Sequence, residues 1–371
     1  MLQTPYDTND FTPQETAAKR ELESRFMNIF KRAGYDEVIT PTIEFLENLT
    51  SNRTVEDDLF KFVDSNNKSV ALRHEMTTPI ARLVQSRFKN SPLPIKLSYN
   101  ANVFRFRRNQ PGRDSEFYQV GVELLGANST VADAETVALA AQCLKAANVP
   151  DFKICIGQVQ FANGLINSLP AGIQNKIKFA IENHNSVALD EMDIDDAIKK
   201  IPALIGNKNI LDTAQKLANN KISSDAVENL REIYNLLESY EVDNFVTFDL
   251  SMIRDFDYYN GMVFEIYSPN VGYSLAGGGR YTLADMPCSG FALGVERILL
   301  ARVNQNITQN FLNKDIFIAY DSDSVNLAIK KAVELRNQGK VVELAICPMN
   351  FDEAESVRRN KNFSELIYLE R

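Results

Sequence analysis

Tryptophan is missing from this chain, histidine occurs only at His74 and His184, and the cysteines Cys143, Cys155, Cys288 and Cys347 stand far apart with no CxxC pair. Such scarcity argues against a structural zinc site, which needs grouped Cys and His ligands, and against a disulfide framework, as expected of a reduced cytosolic chain. Basic residues are in the minority: 40 Lys and Arg against 49 Asp and Glu leave a formal charge of −9. Broad binding to a polyanion depends on clustered Lys and Arg, so it gains no support here. No apolar run reaches the roughly 18 residues that span a bilayer, and Met1-Leu2-Gln3-Thr4-Pro5-Tyr6-Asp7 does not lead a basic segment into an apolar one. The expectation is a soluble, cytoplasmic protein without membrane attachment.

What is present is globular in kind. With 371 residues, 44% apolar and 24% charged, the chain has ample material for one large domain and a smaller one. Thr12-Pro13-Gln14-Glu15 is a capping box with Pro at the first helical position, and Leu22, Phe26, Ile29, Phe30 and Ala33 recur at helical spacing until Gly34. Glu37-Val38-Ile39-Thr40-Pro41 then predicts a short strand stopped by proline. Leu59 to Asp64 and Ser69 to Arg73 flank the polar Ser65-Asn66-Asn67-Lys68 and predict a hairpin. Ile95 to Arg107 and Glu116 to Leu125 predict a second antiparallel pair, joined through Gln110-Pro111-Gly112. Val131 to Ala147 is helical in pattern, and Phe152 to Gly157 an apolar strand.

From about 168 to 246 helical periods dominate, which predicts a mostly helical insertion. Strands are expected again at Phe248-Asp249-Leu250, Met262 to Tyr267 and Tyr273 to Ala276. Asn304 to Asn313 reads as a linker, after which Asp315 to Tyr320, Ser324 to Asn337, Val341 to Ile346, Phe351 to Asn360 and Leu366 to Leu369 alternate as β-α-β-α-β. The fold class is α+β: an antiparallel sheet with flanking helices in residues 1–306, and a small α/β unit in 314–371.

Three ordered segments carry a family resemblance. Arg254-Asp255-Phe256-Asp257-Tyr258-Tyr259-Asn260-Gly261, followed by Ala276-Gly277-Gly278-Gly279-Arg280-Tyr281, resembles the amino-acid pocket of histidyl-tRNA synthetases. Phe104 to Arg108 with Phe117 to Glu123, and Gly290-Phe291-Ala292-Leu293-Gly294-Val295-Glu296-Arg297, look like the second and third signature motifs of class II synthetases. The resemblance implies a class II synthetase-like domain that dimerises through its first motif. It also implies that residues 314–371 are a truncated relative of the anticodon-binding domain.

A free amino acid presents an ammonium, a carboxylate and a side chain, so a specific site needs carboxylates, a fixed cation and, for histidine, partners for the imidazole nitrogens. By resemblance Glu75, Thr77 and Gln119 meet the ammonium, Glu123 and Tyr259 hold the imidazole beside Tyr258, and Arg254 meets the carboxylate. Arg105 and Arg297 match the arginines that hold the α-phosphate and stack on adenine, and Arg105 is counted among the histidine-binding residues as well. Taken singly, Glu123 has a plainer explanation as a solvated strand residue, the tyrosines as half-buried aromatics, and the glycines as a bend in a strand.

The nucleotide side departs from the synthetases. Arg107 stands where that family has a glutamate, Asn109 and Ser115 replace a usual proline and a usual basic residue, and the connection from Tyr281 to Gly290 is short. A guanidinium only donates hydrogen bonds and cannot stand in for a carboxylate that accepts. Leu59-Phe60-Lys61-Phe62-Val63-Asp64 and Leu72 to Arg82 are more similar to the regulatory subunits of ATP phosphoribosyltransferase. Membership of that family implies a non-catalytic chain, without cofactor or bound metal, that assembles with a short-form catalytic subunit and binds L-histidine, with tRNA not expected as a partner. Histidyl-tRNA ligase, needing ATP, magnesium and tRNA, and a synthetase-like histidine sensor are the alternatives. Arg105, Arg254 and Arg297 favour the ligase, while Arg107, the short connection and the truncated terminal unit oppose it.

Overall fold

The computed structural model describes residues 3–50, 58–106, 114–252, 258–269, 271–283, 285–307 and 314–371. Compact units comprise Met1–Asp10 with Ala18–Thr308, and Phe11–Ala17 with Gln309–Arg371. Among the described residues the first unit is built on a nine-stranded sheet. Its order is Asp36–Glu37, Ile95–Phe104, Glu116–Leu125, Met286–Gly294, Ala276–Leu283, Tyr259–Tyr267, Lys153–Gln158, Val246–Asp249 and Ile205–Gly206. The pairings from Ile95–Phe104 to Lys153–Gln158 are antiparallel throughout. Asp36–Glu37 pairs in parallel with Ile95–Phe104 and Val246–Asp249 with Lys153–Gln158, while Ile205–Gly206 pairs antiparallel with Val246–Asp249.

Among the helices on one face of this sheet are Pro13–Arg32 and Thr130–Ala146. Pro13–Arg32 begins at the capping box, where the Thr12 amide donates to Glu15 Oε2 at 2.8 Å, and buries Leu22, Phe26 and Phe30. Phe30 meets Phe291 edge-on at 5.8 Å between ring centroids. The Thr130–Ala146 helix is alanine-rich and buried on most sides, so that its backbone can lie close to the sheet. Its Asp133 takes a two-point ion pair from Arg280, at 2.9 Å to Nε and 2.8 Å to Nη2, and Arg280 also donates to the carbonyls of Ala127 and Ser129. Strand alternation therefore sends Arg280 to the helix and its neighbour Tyr281 to the opposite face.

Between 168 and 246 lie the helices Ala171–Glu182, Ser186–Asp190, Asp196–Lys199, Ile210–Leu217 and Lys221–Ser239. They bury Ile177, Ile181, Leu230, Ile233 and Leu237 in the same core as the sheet. A small antiparallel sheet, in the order Ile43–Phe45, Ser69–Leu72, Lys61–Val63, leads into the Thr77–Arg87 helix. The second unit has a parallel sheet, Val342–Leu344, Ile316–Tyr320 and Glu365–Leu369, with helices Val325–Asn337 and Phe351–Asn360. Asn350 and Glu353 close a capping box on the latter helix.

Two expectations are corrected. Glu37–Pro41 is not a strand along its length: pairing is confined to Asp36–Glu37, and only the Val38 amide extends it, donating to the Ser98 carbonyl at 2.9 Å. Tyr273 to Ala276 is likewise not the strand; Ala276–Leu283 is, with its glycines in the middle. A Cβ on Gly278 would lie 2.3 Å from the Gly290 carbonyl, so close approach of backbones requires glycine where strand propensity disfavours it. The expected Gln110-Pro111-Gly112 turn lies outside the described residues.

The Arg280–Asp133 pair yields a stability prediction. Asp133→Ala leaves a buried guanidinium that cannot shed its proton, and should cost about 3–5 kcal/mol. Urea denaturation should show a lower midpoint; an unchanged midpoint would mean that the pair does not brace the helix on the sheet.

Candidate functional site

On the face of the sheet that Tyr281 occupies lies a cavity of about 270 Å³. It brings together Glu75, Thr77, Arg105, Gln119, Glu123, Tyr258, Tyr259 and Arg297 from segments far apart in the chain. Arg254 and Arg107 lie outside the described residues. The lining also includes Tyr99, Tyr281 and Glu265, which sequence reasoning did not single out as ligand contacts. Tyr281 ends a quoted run of residues, but its direction becomes legible only once Ala276–Leu283 is known to be one strand.

Glu123 is the chemical centre of the cavity wall. It stands mid-strand in Glu116–Leu125, opposite Leu97 on one side and Gly290 on the other, and is 3% exposed. Thr77 Oγ1 donates to its Oε1 at 3.0 Å, and the Tyr281 hydroxyl donates to its Oε2. A Cβ on Gly290 would sit 2.1 Å from Oε2, so the carboxylate occupies space that only glycine leaves open. Burial pushes the Glu123 carboxyl up to about 8; the hydroxyls of Tyr281 and Thr77 act in the opposite direction, and the negative charge of Glu75 adds to the rise.

Glu75 is held differently. Its carboxylate accepts from the Thr77 amide at 2.5 Å and from the Thr78 amide at 3.1 Å, at the start of the Thr77–Arg87 helix. Amides without intrahelical partners and the positive end of the helix dipole both favour an anion there. The aromatic side of the cavity is built by Tyr258, stacked on Tyr281 at 4.9 Å and meeting Tyr259 edge-on at 4.8 Å. Burial raises the pKa values of Tyr99, Tyr258 and Tyr281, so these hydroxyls stay protonated and are available as donors.

The cations lie along the rest of the lining. Arg105 donates through Nε to the His74 carbonyl at 3.1 Å, with its guanidinium over Phe117 at 5.2 Å. Arg297 donates through Nη1 to the Ser274 carbonyl at 2.7 Å and lies over Tyr273 at 5.5 Å. The next residue back, Glu296, turns the other way, and its carboxylate accepts from the Tyr118 amide at 3.0 Å. Acidic, hydroxyl, aromatic and cationic groups thus line one small space, as a zwitterion with a polar ring requires. Among the described residues no group of three or more His, Cys, Asp or Glu side chains is placed to hold a metal ion. The cysteines are unpaired, and no described helix is long and apolar enough to cross a membrane.

The environment of Glu123 is directly measurable. Its ¹³C carboxyl resonance in the free protein should titrate near pH 8, and Glu75→Gln should move that midpoint down, because one negative charge is removed. A midpoint in the ordinary carboxylate range would contradict the buried placement.

Comparisons with known proteins agree with this architecture. A family model described as histidyl-tRNA synthetase matches residues 7–298. An ATP phosphoribosyltransferase regulatory subunit of Desulforamulus reducens is 38% identical, with 98% of this chain and 94% of the relative covered. Among solved structures, one described as an ATP phosphoribosyltransferase regulatory subunit/histidyl-tRNA synthetase, from Bacillus halodurans, superposes with a TM-score of 0.89 at 27% identity, covering 100% of this chain and 99% of the other. The histidyl-tRNA synthetase of Nostoc sp. PCC 7120 gives a TM-score of 0.85 at 19% identity, covering 100% and 92%, a likeness of fold alone.

Proposed function

The chain belongs to the family of ATP phosphoribosyltransferase regulatory subunits, built on the class II fold of histidyl-tRNA synthetases, and from that premise we propose that its cavity binds L-histidine as a feedback signal. It is a non-catalytic regulatory subunit whose partner is an ATP phosphoribosyltransferase and whose pathway is histidine biosynthesis. The finer reading is that this partner is a short-form catalytic subunit, that the chain dimerises through its first class II motif, and that tRNA is not a partner.

The observation that carries the reading is the buried Glu123, with both oxygens engaged by hydroxyls in a cavity that also holds Glu75, Gln119 and Tyr259. Glu75 and Gln119 suit the ligand ammonium; Glu123 and Tyr259 suit the imidazole nitrogens. Arg254 takes the carboxylate by resemblance. Arg105 and Arg297, on the same lining, are a remnant of the nucleotide side, and their guanidinium groups remain suited to an anion. Feedback then requires histidine to bind the low-activity arrangement of the assembly more tightly than the high-activity one, since only a difference in affinity shifts an equilibrium.

Calorimetry with histidine and with leucine tests the ligand. Histidine should bind and leucine should not, and Glu123→Ala should weaken binding by about 1–3 kcal/mol through loss of a buried charge-assisted hydrogen bond. Equal binding of the two amino acids would end the pocket assignment. The assembly is tested with the matching catalytic subunit: the chain should raise phosphoribosyltransferase activity, and histidine should lower it less in Glu75 and Glu123 variants than in the parent. Robust charging of tRNA by the purified chain would instead establish ligase activity.

A further inference from the structure

Tyr281 is not among the residues that the resemblance to synthetases assigns to the ligand, yet its hydroxyl donates to the carboxylate at the centre of the cavity. It reaches that carboxylate across an intervening strand. Glu123 pairs with Gly290, Gly290 with Gly279, and Tyr281 stands two residues beyond Gly279 on the same strand. Gly290, on the intervening strand, has no Cβ, which leaves open the space that the Glu123 carboxylate occupies. Its ring is fixed independently by stacking on Tyr258, with planes 17° apart, and it is 2% exposed. The hydroxyl therefore arrives on a ring already held in place.

We propose that Tyr281 is the positioning residue of ring recognition: its hydroxyl and that of Thr77 take one lone pair on each oxygen of Glu123, favour the ionised acceptor form, and so select rings that carry an N–H donor. This rests on the reading of the cavity as a histidine site. An ionised carboxylate has only acceptor capacity, and after two hydroxyls have donated it still has lone pairs for a ring N–H. A protonated carboxyl would instead offer its own proton and suit a ring nitrogen that only accepts. The balance between these forms decides which heterocycle fits, and Tyr281 acts on that balance without touching the ligand's charged ends.

The groups facing Glu123 make the hydroxyl consequential. Glu75, from the segment before the Thr77–Arg87 helix, opposes ionisation by its charge, and burial opposes it more strongly. Among the described residues, Tyr35, Tyr99, Tyr258 and Cys288 also feel the charge of Glu123 and are held neutral by burial, and Tyr259 and Arg105 share the cavity lining. The donors from Tyr281 and Thr77 work against burial, with Tyr281 the larger of the two.

Tyr281→Phe keeps the stacked ring and removes only the donor. In the full chain without ligand, the Glu123 carboxyl resonance should titrate at higher pH in Tyr281→Phe than in the parent. Calorimetry should then compare L-histidine with β-(thiazol-4-yl)-L-alanine, whose ring nitrogen accepts but carries no hydrogen. The preference for histidine should fall by about three- to tenfold in the variant, the range one hydrogen bond of ordinary strength controls. A purely structural role for Tyr281 would weaken both ligands equally and leave their ratio unchanged, which would overturn the inference while the histidine site stands. If the parent binds no histidine, the site reading and ring selection fail together. An unmoved titration midpoint would remove the coupling between Tyr281 and Glu123 whatever the ligands do.

Discussion

A carboxylate placed in the middle of an antiparallel sheet, away from water, governs the construction around it. Glu123 has a neighbouring strand on either side and a cavity in front, so its buried oxygens must find hydrogen-bond partners in the protein or in a ligand. Thr77 and Tyr281 supply two, from a helix start and from a strand beyond the adjacent one. The requirement propagates into the backbone: Gly290 must lack a side chain for the carboxylate to fit, and Gly278 must lack one for its strand to approach Gly290. Gly121 repeats the theme, since a Cβ there would stand 2.2 Å from the Phe291 carbonyl. Gly121, Gly278 and Gly290 thus reflect close strand packing around an acidic centre.

The reverse face of the same strand is equally committed. Arg280, adjacent to Tyr281, is bound to Asp133 and to the carbonyls of Ala127 and Ser129, fixing the start of the Thr130–Ala146 helix against the sheet. Two neighbouring residues therefore carry separate tasks because strand alternation sends them in opposite directions. One braces the scaffold and the other reaches the cavity.

How much of this was legible in the sequence follows from which signals are local. The capping box at Thr12 and the helix behind it, the pairing of Ile95–Phe104 with Glu116–Leu125, and the alternation of the second unit rest on periodicity and turn chemistry, and the observed elements follow those patterns. The Ala276–Leu283 strand did not announce itself, because three glycines carry little strand propensity and their reason is a backbone approach that only the assembled sheet displays. Glu123 inverted the ordinary expectation for a strand glutamate, which is solvation; resemblance, not composition, singled it out. Tyr281 was visible as a residue but not as a donor, since its direction depends on a strand boundary.

In the proposed reading, an amino-acid site persists in a subunit that performs no synthesis. Catalysis demands groups placed for the transition state, whereas a sensor needs only complementarity to its ligand together with a difference between two arrangements of the assembly. By resemblance, Arg107 stands where the second motif of the synthetases has an acidic acceptor on the nucleotide side, and Arg297 is engaged with the Ser274 carbonyl and the Tyr273 ring. The Thr77–Glu123–Tyr281 constellation lies on the amino-acid side of that reading. In the proposed reading, a ligand seated there would join the start of the Thr77–Arg87 helix to the central strands through one carboxylate. That gives histidine a mechanical hold on two parts of the fold, and any arrangement of the complex that moves the helix start relative to the strands would then differ in its affinity for the ligand.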